Sequence, residues 1–152
     1  MDIDSAQYGN GDATYRALGG LEGITRLVDR FYSLMDTLPE AATLRAMHAR
    51  DLADSRQKLV AFLSGWTGGP RLYAEQYGTI SLPVAHKHLP IDADTTESWL
   101  KCMSLALAEM GHPEPLRVYL MGKFATPAES IRLMSEFEHS KPSQGGGLFD
   151  PA

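Results

Sequence analysis

His86 and His88 stand two residues apart between Pro83 and Pro90, downstream of Gly65-Trp66-Thr67-Gly68-Gly69-Pro70-Arg71-Leu72-Tyr73. A histidine on a segment too short for a core helix is presented to something rather than packed. A neutral imidazole can hold a haem iron, provided an apolar slot and cations near the propionates are also present. Residues i and i+2 on a helix face different directions, so at most one of the pair addresses a given centre. Spacing alone leaves the choice open, with a pair of surface loop histidines as the plain alternative.

Four other side chains have the same double character. Tyr32 sits beside Phe31 at the border of an apolar helical face, as a core tyrosine or as a phenol donating to a bound diatomic. His48 is a loop histidine unless it folds over the same cavity. Trp99 belongs to a packed face, but a buried indole N–H needs an acceptor that a ligand can supply. Lys58 is a solvated helix lysine, or a propionate partner if a slot exists.

Other chemistries find little support. The chain has no Gly-x-x-x-x-Gly-Lys-Ser/Thr phosphate loop and no His-Glu-x-x-His zinc pair. Cys102 is its only cysteine, which excludes an intrachain disulfide, a thiolate zinc cluster and Cys-x-x-Cys-His haem attachment. It falls within a packed helix and reads as core rather than nucleophile. The formal charge of −5 gives no reason to expect nucleic acid or an anionic membrane as partner. No apolar run approaches the roughly 18 residues of a membrane span. Met1-Asp2-Ile3-Asp4 lacks the features of a signal peptide, so a cytoplasmic protein is expected.

The elements that must position these groups are helical. At 152 residues the chain suits one domain with a substantial core. Residues 1–13 read as a flexible arm, with a short helix over Thr14 to Ala17 stopped by Gly19-Gly20. Leu21, Ile24, Leu27, Val28, Phe31, Leu34 and Met35 follow the i, i+3, i+4, i+7 rule up to Pro39. A turn-like piece from Ala41 to Met47 leads to His48. Asp51 or Asp54 caps a helix with Leu59, Phe62, Leu63 and Trp66 on its apolar face.

The connection from Pro70 to Ile91, with one or two helical turns, is too long for a compact domain unless it is functional. Asp92 or Asp94 caps a helix bearing Trp99, Met103, Ala106, Leu107 and Met110 on one face. A last helix starts near Pro115, with Leu116, Tyr119, Leu120 and Phe124 inward, continuing as Ile131, Met134 and Phe137. Thr126-Pro127 reads as a new helix start, predicting a kink or break there. Residues 140–152, with Gly145-Gly146-Gly147, read as a disordered tail. No period-2 strand is evident, and the fold class is all-α.

Together these segments resemble the group II, O-type, truncated 2/2 haemoglobins. The resemblance is carried by Tyr15-Arg16-Ala17-Leu18-Gly19-Gly20, Leu27-Val28-Asp29-Arg30-Phe31-Tyr32 and Leu63-Ser64-Gly65-Trp66-Thr67-Gly68-Gly69-Pro70. It continues through Leu72-Tyr73-Ala74-Glu75 and Trp99-Leu100-Lys101-Cys102-Met103. Each piece is weak alone; their order and spacing make the set specific.

The resemblance implies a truncated globin fold over residues 14–139, a 2-over-2 helical sandwich around a non-covalent haem b. It also implies the proximal ligand: in the family that histidine precedes the tryptophan of Trp-Leu-x-Cys-Met by thirteen positions, which falls on His86. Matched likewise, Tyr32 is the distal tyrosine, His48 the loop residue and Trp99 the indole donor. Ser55 and Leu59 face the ligand from the distal helix. Lys58 pairs with a propionate, and Tyr73 lies at the haem edge, with Phe62 also against the cofactor. Ala85 stands where the family often has a propionate-binding arginine, a role that Lys87 or His88 would then take. Pro127 departs from a usually continuous final helix.

The implied ligands are dioxygen, nitric oxide, carbon monoxide or peroxide. Several donors on one ligand slow its release, favouring redox chemistry or detoxification with an unidentified reductant over bulk oxygen transport. A dedicated nitric oxide dioxygenase or peroxidase is the alternative, and a cofactor-free helical interaction module the third.

Overall fold

The computed structural model describes residues 4–140, and all its longer elements are helices. In chain order they are α1 (Ala13–Ala17), α2 (Gly20–Thr37), α3 (Ala42–Ala46), α4 (Ala53–Trp66), α5 (Leu72–Tyr77), α6 (Leu82–His86), α7 (Ala93–Glu109) and α8 (Glu114–Ser140). Two short 3-10 turns precede α1 and α3. The tail beyond residue 140 lies outside the described residues. Among those described, no helix is long and apolar enough to cross a membrane.

The four long helices form two layers. Helix α2 packs against both α4 and α7, and α8 packs against α7 and α6. The core is the shared face of these helices: Ile24, Leu27, Val28 and Phe31 from α2, Met103, Ala106 and Leu107 from α7, Leu116 and Leu120 from α8. Full burial of each such side chain contributes about 1.5–3 kcal/mol before entropy is subtracted, so this seam holds the pairs together. Two expected inward positions differ. Leu21 is 42% exposed and Phe137 is 61% exposed, because the seam ends before it reaches either helix end.

The caps explain where the helices start. Asp92, not Asp94, caps α7: its carboxylate accepts the Thr95 amide at 2.9 Å while Thr95 Oγ1 accepts the Asp92 amide at 3.0 Å. Neither Asp51 nor Asp54 caps α4: its N-cap is Leu52, without a side-chain cap bond, and Asp51 instead makes a turn before it by accepting the Ala53 amide at 2.9 Å.

The double glycine after α4 has a reason invisible in local sequence. Gly68 adopts φ +96°, and a Cβ there would lie 2.0 Å from the Gly11 carbonyl oxygen. A Cβ on Gly69 would lie 2.3 Å from the Tyr15 ring, and the Tyr15 amide donates to the Thr67 carbonyl at 3.0 Å. The glycines therefore end α4 and let the segment around α1 close over its terminus.

The break expected at Pro127 is absent. Helix α8 runs continuously from Glu114 to Ser140 with Pro127 inside it, and Thr126 does not act as a cap. Both flanks are held from outside. Leu116, Leu120 and Phe124 are buried before the proline. After it, Ser135 Oγ accepts the Ile91 amide at 2.9 Å and donates to the Leu89 carbonyl. Tertiary contacts thus override a local cost of about 3 kcal/mol.

Two stability predictions follow from this packing. Pro127→Ala should raise the thermal midpoint of the holoprotein, gaining about 1–3 kcal/mol, the interior-proline penalty less the entropy Ala restores to the unfolded chain; a lower midpoint would contradict it. Gly68→Ala should cost at least about 1–2 kcal/mol from the left-handed backbone alone, and an unchanged melting curve would contradict the close approach.

Candidate functional site

Helix α6, five residues with Pro83 in its first turn, places His86 on its last position. There His86 Nδ1 lies 2.7 Å from the Leu82 carbonyl oxygen. A carbonyl only accepts, so Nδ1 carries the proton and Nε2 keeps its lone pair in the neutral ring. That is the tautomer a metal-ligating histidine needs. His88 lies beyond the end of α6 and is exposed, whereas His86 is half-buried.

Helix α4 offers an unusual face. Ala61, Leu63 and Ser64 are buried, whereas Ser55, Leu59, Phe62 and Trp66 remain only half-buried. The i, i+4, i+7, i+11 spacing of those four places them on one side of the helix. An apolar stripe held between exposed and buried is what a flat apolar group would cover.

Three polar groups converge from the other elements. Tyr32, on α2, is 5% exposed, yet its hydroxyl has no hydrogen-bond partner among the described residues. Burial pushes its phenol up to about 12, opposed by the positive charge of Arg56. Trp99, on α7, packs edge-on to Phe31 with ring centres 5.0 Å apart, and its indole N–H likewise lacks a partner among the described residues. His48 follows α3, with its ring edge-on to Tyr32 at 5.9 Å.

The loop carrying His48 is held by Arg45. Its guanidinium bonds Asp36 at 2.9 Å, the Ala49 carbonyl at 3.0 Å and the Arg50 carbonyl at 2.9 Å. His48 Nδ1–H donates to the Leu44 carbonyl at 3.0 Å, so the neutral ring offers Nε2 as an acceptor. Burial depresses its pKa; the Leu44 bond raises it, while the charges of Arg45 and His86 add to the depression. His48 also borders a cavity of about 620 Å³ lined by Met35, Leu38, Pro39, Arg45 and Arg50.

At the rim, Lys58 is exposed and pairs with Asp54 at 3.1 Å, which raises its pKa, and it lies 5.6 Å from the Tyr77 ring centre. Tyr73 packs edge-on to Phe62 at 6.4 Å. Ala85 and Lys87 are exposed beside His86. Cys102 is buried in α7, and burial pushes its thiol up, away from nucleophilic use.

Sequence reasoning missed two contributors. Arg56, beside Ser55, has a buried Nε that meets only Asp29, at 3.6 Å, and its charge reaches Tyr32. Trp66 stacks on Phe124 at 4.7 Å across the core. Asp29 and Tyr32 at i, i+3 could have signalled the first; the helical spacing of Trp66 with Leu59 and Phe62 signalled the face it lies on, but not its stacking on Phe124.

The donor set suits a haem. Among the described residues no group of three His, Cys, Asp or Glu side chains stands ready to chelate a bare ion. A metal served by a single imidazole must bring its other ligands with it, as a porphyrin does.

Comparison with known proteins agrees. The sequence pattern of the bacterial-like globins matches residues 13–132. Group 2 truncated hemoglobin YjbI of Bacillus subtilis (strain 168) is 32% identical over 127 residues, covering 84% of this chain and 93% of that protein. The group II 2-on-2 hemoglobin of Agrobacterium tumefaciens superposes with a TM-score of 0.75 at 37% identity, over 78% of this chain and 92% of that one. The cold-adapted truncated hemoglobin of Pseudoalteromonas haloplanktis TAC125 also gives 0.75, at 35% identity over 78% and 95%. The truncated oxygen-avid haemoglobin of Bacillus subtilis gives 0.72, at 31% identity over 78% and 97%. With its 2-over-2 helical pairs and this agreement along most of its length, the chain belongs to the bacterial-like globin family, among the group II truncated haemoglobins.

Proposed function

We propose that the protein binds haem b, which residues of α4 and α6 would hold with His86 as the protein ligand of the iron, and that Tyr32, His48 and Trp99 would meet a small diatomic ligand. The observation that supports this most is the Nδ1–H bond from His86 to Leu82, which reserves Nε2 for a metal. Haem supplies a one-electron redox centre able to take a diatomic ligand or a peroxide.

The chain's own residues would divide the work as follows. Leu59, Phe62 and Trp66 would exclude water from the haem, and Lys58 and Tyr73 would meet its propionates. Ser55 keeps the distal side of α4 small. Tyr32 and Trp99, both packed on Phe31 and with no acceptor among the described residues, would donate to a polar ligand. Each such neutral bond contributes about 0.5–1.5 kcal/mol. His48 complements them as an acceptor when neutral, able to orient the Tyr32 hydroxyl or a water beside it.

Two donors on one ligand retard release. That favours slow exchange with dioxygen, nitric oxide or peroxide chemistry, and a cellular reductant to reset the iron, over bulk transport. The oxygen-avid character printed for the Bacillus subtilis relative is of the same kind.

Visible spectra after adding haem test the reading directly. A Soret band with distinct ferric, ferrous and carbon monoxide forms is expected; no Soret band would leave a cofactor-free helical module. Tyr32→Phe should speed oxygen dissociation roughly 2- to 10-fold, the loss of one such bond. Stopped-flow release that is unchanged or slower would remove Tyr32 from the role.

A further inference from the structure

The cavity of about 620 Å³ that His48 borders lies where α2 ends and α3 begins, and the haem reading gives it no part. Its apolar wall is made by Met35, Leu38, Pro39, Ala42 and Ala46. Met35 is buried and stands one helical turn from Tyr32. The His48 ring meets Tyr32 edge-on, with ring centres 5.9 Å apart. Two of the cavity's side chains therefore adjoin the phenol, one through space and one along α2. A volume of this size suits a small organic molecule.

The charges around the cavity decide which molecule. Asp36, Arg45, His48 and Arg50 are its ionisable residues. Asp36 and Arg45 cancel in their 2.9 Å pair, and the other two guanidinium nitrogens of Arg45 are held by the Ala49 and Arg50 carbonyls. Burial depresses the pKa of His48, which leaves it neutral near pH 7. The Arg50 guanidinium is exposed and forms no ion pair among the described residues. The carbonyl end of α2 adds a partial negative charge, which Arg45, bonded to Asp36 in that last turn, offsets. What remains is the positive charge of Arg50 beside an apolar wall, in a chain of formal charge −5.

We propose that this cavity binds a small organic monocarboxylate, with its carboxylate on Arg50 and its apolar body against Met35, Leu38 and Pro39. The planar fork of a guanidinium matches a carboxylate with two parallel hydrogen bonds. A bare inorganic anion would leave the apolar wall uncovered, and a polyanion would find a single free cation. The bound molecule also touches His48, whose ring is tied only by its bond to the Leu44 carbonyl. Occupancy thus fixes the imidazole that faces Tyr32, and the ligand acts on the distal side through it. The site is built from this chain's own side chains and stands whether or not haem is bound.

NMR of the purified protein under carbon monoxide, which keeps any ferrous haem diamagnetic, tests this with benzoate as the probe. Saturable shifts of the His48 ring signals are expected at millimolar benzoate. Benzyl alcohol, of similar shape without the charge, and acetate, with the charge but no apolar body, should each bind more weakly. Arg50→Gln, an exposed change, should weaken benzoate about 3- to 10-fold, the loss of one solvent-accessible charge pair. Ala46→Trp, which fills the cavity from its exposed wall, should abolish the shifts. His48 signals unmoved by benzoate would overturn the site. So would equal binding of benzyl alcohol, or benzoate binding undiminished in both variants.

Discussion

The hydrogen bond from His86 Nδ1–H to the Leu82 carbonyl is the interaction on which the account depends. It settles which imidazole nitrogen keeps a lone pair, and so what the α6 segment can present. The bond spans one turn of a five-residue helix, a length at which helix formation alone is unfavourable. Tertiary contact must therefore hold that turn, and α8 provides it. Ser135 grips Leu89 and Ile91 just past the histidine, so the continuity of α8 through Pro127 serves the site as well as the fold.

The opposite side follows a complementary rule. Neither the Tyr32 hydroxyl nor the Trp99 indole N–H makes a hydrogen bond among the described residues, and neither is among the buried atoms left without a partner, which are Arg56 Nε and His112 Nε2. Donors that keep some access to solvent wait for a partner at little desolvation cost, as groups that face a ligand must. The Arg45 clamp and the Leu44 bond keep His48 in place without using its remaining nitrogen.

Much of this was legible in the sequence because it is periodic or local. The apolar rows of α2 and α7 appear where spacing places them, Asp92 is one of the two caps that the sequence offered for α7, and the Pro70 to Ile91 connection holds two short helices where one or two turns were expected. The choice between His86 and His88 was not local: residue types left it open, and only the family offset to Trp99 pointed to His86. The break expected at Pro127 does not occur, because its penalty is local and its compensation comes from α7 and from Leu89 and Ile91. Phe137 and Leu21 satisfy the helical period but lie beyond the reach of the core. One reason for the Gly68-Gly69 pair, room for Gly11 and Tyr15, depends on residues more than fifty positions away.

The most direct measurement of the central claim is the iron–imidazole stretching band in the resonance Raman spectrum of the ferrous, ligand-free haem complex. The account predicts the band in the unmodified protein and in His88→Ala, and its loss in His86→Ala with recovery when free imidazole is added. A band that survives His86→Ala and disappears in His88→Ala would contradict it.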